Sequence, residues 1–108
     1  MYNQILVRED DRQSQRFLWR NGDTRKQPDV YVMNVMTFGA TCSPSCALYV
    51  KNRNAEQYQH QFPRAVECIK REHYVDDMLS SEESEEAAAN LANIVRFIHT
   101  KAGFEIRD

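Results

Sequence analysis

Residues 80–104 admit few structures. Ala87, Leu91, Ile94, Val95 and Ile98 recur at helical spacing and make one apolar stripe. Ahead of them, Glu82, Glu83, Glu85 and Glu86 suit the positive end of a helix dipole. Ser80-x-x-Glu83 has the form of a capping box. Behind them, His99 and Lys101 sit in the last turn, and Gly103 fits the left-handed position just past a helix. Start, face and stop are all marked. A helix with one apolar face must bury it against another layer, which the rest of the chain has to supply.

The chain has 108 residues, 42% hydrophobic and 28% charged, which suits a single domain, 1–108, with one modest core. A chain of this size buries roughly two-thirds of its unfolded surface. Three glycines and three prolines exclude a collagen-like or Gly/Pro-rich disordered chain. No apolar run is long enough to span a bilayer, and Met1–Arg8 lacks the basic-then-apolar pattern of a signal peptide. A soluble, cytoplasmic protein with no membrane partner is expected. The apolar start at Met1-Tyr2 looks like a chain cut inside an element.

The net charge of −2 hides an asymmetry. Residues 11–72 carry ten Lys/Arg against six Asp/Glu, and residues 73–108 carry three against eight. A basic middle beside an acidic end suits a polyanion on one side and a metal on the other, and equally suits ordinary solvated surface. Cys42, Cys46 and Cys68 show no C-x-x-C pair, so they read as reduced, mostly buried thiols.

Along the chain, residues 1–7 read as the end of a buried element and Arg8–Arg12 as a charged turn. Gln15–Arg20 is a short strand, followed by the turn signal Asn21-Gly22-Asp23 and a long hairpin loop. Val30–Met36 is apolar on both faces and is expected to be an interior strand with neighbours. Ser43-Pro44 suits a helix start, with Cys46, Ala47, Val50 and Tyr58 on one face. A second helix from Pro63 to Glu72 would bury Phe62, Val66 and Ile69. His73–Leu79 reads as a tight strand–turn–strand, and Phe104–Arg107 begins another strand. His60, His73 and His99 lack ligand spacing and read as surface or helix-end residues. The order predicts an α+β fold, helices on an antiparallel sheet.

Tyr74-Val75-Asp76-Asp77 is the sharpest chemical feature. Adjacent carboxylates repel, and burying part of such a pair requires compensation. A divalent cation supplies it, because Mg²⁺ prefers oxygen ligands. A solvated Asp-Asp turn is the alternative.

A second feature precedes it by about thirty residues: Thr37-Phe38-Gly39-Ala40-Thr41-Cys42-Ser43-Pro44. This stretch resembles the F-G-x-x-x-(S/A)-P segment of reverse transcriptases, and the acidic hairpin resembles their Y-x-D-D hairpin, in the right order. Gln15–Arg20, Val32–Ala40, Tyr49–Ala55 and His73–Asp77 together resemble the palm region of BEL/Pao-type LTR retrotransposon polyproteins. The resemblance covers essentially the whole chain.

The resemblance implies a partial polymerase palm, a ferredoxin-like antiparallel sheet with helices on one face. It implies an RNA-directed DNA polymerase that adds deoxynucleotides to a primer 3′-hydroxyl with Mg²⁺ or Mn²⁺. Asp76 would be the main catalytic and metal ligand and Asp77 a weaker second carboxylate. Tyr74 would orient the turn under the primer end. Phe38 and Gly39 would lie near the incoming nucleotide. Tyr2 matches an aromatic that blocks a ribose 2′-hydroxyl, although alone it reads equally as a core aromatic. The partners would be an RNA or DNA template-primer, deoxynucleoside triphosphates and the rest of the polyprotein, in the cytoplasm, a virus-like particle or the nucleus. Arg12, Arg16, Arg20, Arg25, Lys26, Lys51 and Arg53 could approach template phosphates.

Two departures qualify this. The family's further aspartate lies four residues upstream of the position held by Met1, and the thumb and RNase H follow beyond Asp108. The isolated segment is therefore expected to bind metal weakly and not to complete the transfer. An inactive remnant that binds nucleic acid or serves a structural role is the alternative function.

Overall fold

The computed structural model describes residues 1–105. Its architecture is α+β, in two compact units: one of Tyr2–Ser43, the other of Met1 with the residues from Pro44 onward. Among the described residues the strands form two separate two-stranded antiparallel sheets rather than one larger sheet. Phe104 and Glu105 carry no strand, and Ile106 and Arg107, the rest of the strand expected there, lie outside the described residues. No helix among the described residues is long and apolar enough to cross a membrane.

In the first unit, the short 3₁₀ turns Tyr2–Gln4 and Glu9–Gln15 precede β1, Arg16–Trp19. The charged turn expected at Arg8–Arg12 is thus mostly 3₁₀. β1 pairs with β2, Asp29–Val32, in the register Arg16↔Val32 to Trp19↔Asp29. Asn21 and Gly22 have φ of 52° and 77°, and the Asp23 N–H donates to the Arg20 carbonyl at 3.0 Å. Two successive positive φ values are what a type I′ turn requires, which explains the Asn-Gly pair.

The strand expected over Val30–Met36 is shorter and is not interior. Val30 is 63% exposed and Tyr31 45%. Among the described residues β2 has only β1 beside it in the sheet, so its second edge lacks the strand neighbour its composition suits. The residues after β2 are held differently. The Gln15 side-chain amide donates to the carbonyls of Met33 and Val35, and Leu6 bridges Val35. Ile5 and Met36 are buried, whereas Leu6 is exposed.

The second unit holds the larger core. α1, Ser43–Glu56, begins at the Ser-Pro pair, and the Ser43 hydroxyl donates to the Thr37 carbonyl at 2.7 Å. The buried row of α1 is Ala47, Lys51 and Ala55, spaced four apart on one face. Cys46 of the expected face is exposed, as is Cys42, so only Cys68 is a buried thiol.

α2, Pro63–Arg71, starts on Pro63 and buries Ala65, Val66, Cys68 and Ile69. These pack with Leu91, Val95 and Ile98 of α3, Glu85–Lys101. The apolar stripe read from the sequence therefore faces the core. The stop of α3 is also as expected. Gly103 has φ 81°, its N–H bonds the Thr100 carbonyl, and the Phe104 N–H bonds the His99 carbonyl, which together make a Schellman motif.

The start of α3 is not as expected. The N-cap is Ser84, whose hydroxyl accepts from the Ala87 N–H, four residues beyond the box read at Ser80. Ser80 and Glu82 instead serve Arg64 of α2. Its guanidinium donates to Glu82 at 2.6 Å, to Ser80 at 3.3 Å and to both carboxylate oxygens of Glu72. The Arg64 hydrogen bonds, followed by that of Ser80, hold the Glu72 carboxyl at about 2. A carboxyl lowered in this way stabilises the fold above its ordinary range, and the contribution is lost as pH falls toward about 2.

Candidate functional site

The acidic tetrapeptide closes a hairpin. β3, His73–Tyr74, pairs with β4, Asp77–Met78, in the register His73↔Met78 and Tyr74↔Asp77. Val75 and Asp76 are the two turn residues. The Leu79 N–H, donating to the Glu72 carbonyl at 2.9 Å, closes the base of the hairpin.

Val75 has φ 55°. For a β-branched residue this is a true outlier, because the side chain crowds the backbone there. The left-handed region costs about 1–2 kcal/mol for an L-residue, and Asn tolerates it best after Gly. Val75 is 48% exposed, so little burial opposes a change. Val75→Asn is therefore expected to raise stability by about 1 kcal/mol in urea denaturation. An unchanged or lower midpoint would contradict the strain.

Asp76 and Asp77 are both exposed, with the Asp76 side chain 59% accessible. Their exposure is that of a solvated Asp-Asp turn, the alternative to a partly buried pair. Tyr74 is also exposed, at 75%. The hairpin borders a cleft of about 470 Å³, which Ala92 and Arg96 of α3 line from the other side. The Met1 ammonium lies 3.7 Å from the Asp76 carboxylate.

The donor set suits a hard divalent cation, since carboxylate oxygens are what Mg²⁺ and Mn²⁺ take. It comprises two carboxylates. Among the described residues no group of three or more His, Cys, Asp or Glu side chains converges on one point.

Tyr2 and Phe38 come together in the first unit, with ring centroids 5.0 Å apart and planes at 50°. Phe38 is 71% exposed, so its ring keeps an open face beside Tyr2. Gly39 has φ 86° and open space where a Cβ would stand. Its glycine is required by backbone conformation and not by crowding.

The basic residues are less free than their count suggests. Arg25 pairs with Asp23, Lys26 with Asp29 and Arg53 with Glu56, and Arg12 donates to the Val7 carbonyl. Lys51 is corrected outright. It is 1% exposed on the inner face of α1 and cannot meet a phosphate at the surface. Burial pushes its amine below the ordinary lysine range, while Cys68 beside it pulls the other way.

The histidines are corrected too. His60 is exposed as expected, but His99 is 1% exposed and His73 is half-buried. Their Nε2 atoms are 3.3 Å apart, and His73 Nδ1 lies 3.2 Å from the Cys68 carbonyl oxygen. Burial, then the charges of His73 and Lys51, brings His99 down to about 4. Helical spacing signals both omissions. His99 stands four residues past Val95, and Lys51 stands midway between Ala47 and Ala55.

Comparison with protein-family models, with curated proteins and with solved structures gives no match.

Proposed function

We propose that this chain is a segment of the palm of an RNA-directed DNA polymerase from a BEL/Pao-like element. The observation that carries the proposal is the Tyr74–Asp77 hairpin, with Asp76 in its exposed turn at the rim of a cleft. It comes after the Phe38-Gly39 segment, in the order that reverse transcriptases use.

Asp76 is the main ligand in this reading and Asp77 the supporting one. Divalent cations held there would supply charge stabilisation for a primer 3′-hydroxyl and for the leaving pyrophosphate. The chain's own contribution is placement. The hairpin register holds Asp77 opposite Tyr74 and leaves Asp76 at the tip. The tilted Tyr2–Phe38 pair offers an apolar surface against which a sugar and base can rest. Gly39 supplies the left-handed turn after Phe38.

The position of Met1 supports the reading. Its main-chain nitrogen stands beside Asp76. In a longer chain, the residues just ahead of Met1 would pass close to the acidic turn, the place where the resemblance puts the further aspartate.

The test is primer extension by a longer protein that carries the upstream aspartate and the thumb. Template-dependent extension with Mg²⁺ or Mn²⁺ that Asp76→Asn abolishes is the expected result. Extension undiminished by Asp76→Asn would overturn the assignment. Retained template binding with no extension would favour a nucleic-acid-binding module without chemistry.

A further inference from the structure

The part-buried His73–His99 contact has no place in the proposed chemistry, and its proton arrangement is dictated by its neighbours. His73 Nδ1 faces the Cys68 carbonyl, which only accepts, so Nδ1 carries a hydrogen. A neutral His73 then has a bare lone pair on Nε2. His99 Nε2, 3.3 Å away, must donate to it. That leaves His99 Nδ1 as a buried acceptor, and among the described residues it has no partner. The order is His99 Nε2–H to His73 Nε2, then His73 Nδ1–H to the Cys68 carbonyl.

This chain of bonds has no room for another proton. A proton on His99 Nδ1 makes a buried N–H without an acceptor. A proton on His73 Nε2 sets two N–H groups against each other. If His99 changes tautomer to relieve that clash, its Nδ1 again becomes an N–H without an acceptor. The charged and titratable groups facing the pair are Lys51 from α1, Cys68 from α2 and Glu72 at the end of α2. Lys51, which acts on both rings, is cationic and opposes an imidazolium; Glu72 acts on His73 alone and favours one.

The contact joins two elements that matter to each other. His73 is the first residue of the acidic hairpin, and His99 lies in the last turn of α3. The rings meet edge to face, with centroids 5.4 Å apart. His99 also packs against Phe104, which the Schellman motif folds back over it.

We propose that His99 is a positioning residue for the acidic hairpin, holding its base to α3 through a single-proton contact with His73 that releases when the pair is protonated. This goes beyond the polymerase reading and does not depend on it, because it concerns the hairpin's attachment and not what the hairpin binds.

Linkage gives the sign. A histidine held below its ordinary value stabilises the closed form fully above that value, and the contribution shrinks as pH falls toward about 4. Native-state hydrogen exchange of the whole chain tests it. The reporter is the Leu79 amide, whose bond to the Glu72 carbonyl closes the hairpin's base.

With the intrinsic pH dependence of exchange divided out, Leu79 opening should rise roughly 30-fold between about pH 7.5 and about pH 5. His99→Phe keeps a ring and removes one of the two titrating imidazoles, so its opening should rise far less over that range. A flat response in the unsubstituted protein, or an equal rise in His99→Phe, would overturn the proposal. If His99→Phe does not fold, the ring nitrogens of the unsubstituted protein decide by NMR at neutral pH. His73 should carry its hydrogen on Nδ1 and His99 on Nε2, and the opposite tautomer on either ring would overturn the proposal.

Discussion

Asp76→Asn, in a longer chain that extends a primer, lowers the rate on the order of 10³-fold while template binding stays within a few-fold. A divalent cation supplies several kcal/mol of charge stabilisation at a phosphoryl transition state, and about 1.4 kcal/mol is one decade in rate. The amide keeps the size of the carboxylate and loses its charge. Asp76 sits in an exposed turn, so the substitution leaves the packing of the hairpin alone. Asp77→Asn is expected to cost less, because Asp77 is a strand residue paired with Tyr74 and is proposed only as a supporting ligand. Single-turnover rates for the two variants separate these roles. Equal losses would put the two aspartates on the same footing and contradict the division proposed for them.

Ile69→Ala destabilises the chain by about 2–5 kcal/mol, the usual range for removing a buried isoleucine. Ile69 is 0% exposed and belongs to the cluster that joins α2 to α3 through Val66, Leu91, Val95 and Ile98. α1 contributes only Ala55 to that cluster and holds Lys51 next to it on the same face. No large apolar residue of α1 can close the space left behind. Val30→Ala is the contrast. Val30 is 63% exposed, so the change stays within about 0.5 kcal/mol. Urea denaturation of both variants measures the difference. A large cost at Val30 would mean that β2 is buried after all.

Those two positions show what local pattern reveals and what it cannot. α3 was legible in detail because a helix's face, last turn and glycine stop are all local. The acidic hairpin was legible for the same reason, since a two-residue turn fixes its own register. The start of α3 was not. Ser80 and Glu83 satisfy the capping pattern, but Arg64, sixteen residues earlier than Ser80, draws Ser80 and Glu82 to itself and the cap moves to Ser84. A window along the chain does not register a partner that arrives through folding.

Val30 and Tyr31 misled in the opposite sense. Their composition suits an interior strand, but a strand is interior only if others flank it, and among the described residues β2 has one strand neighbour. At the candidate site, Asp76, Asp77, Tyr74, Phe38 and Gly39 are nominated by the resemblance. The Tyr2–Phe38 contact was not visible, because thirty-six positions separate the two rings. Lys51, read as a phosphate contact, and His99, read as a surface or helix-end residue, both occupy buried rows of their helices. Their burial brings basic groups to bear on His73, the first residue of the hairpin.

The central claim is that the Asp76–Asp77 turn is built to take a divalent cation. Mn²⁺ titrated into the chain and followed by NMR line broadening tests it directly, since a paramagnetic ion marks its nearest residues even when it binds weakly. Broadening should be strongest at Asp76 and Asp77, decline through Tyr74 and Met78, and disappear in Asp76→Asn. Broadening centred on Glu82–Glu86, or broadening at the turn that survives Asp76→Asn, would contradict it.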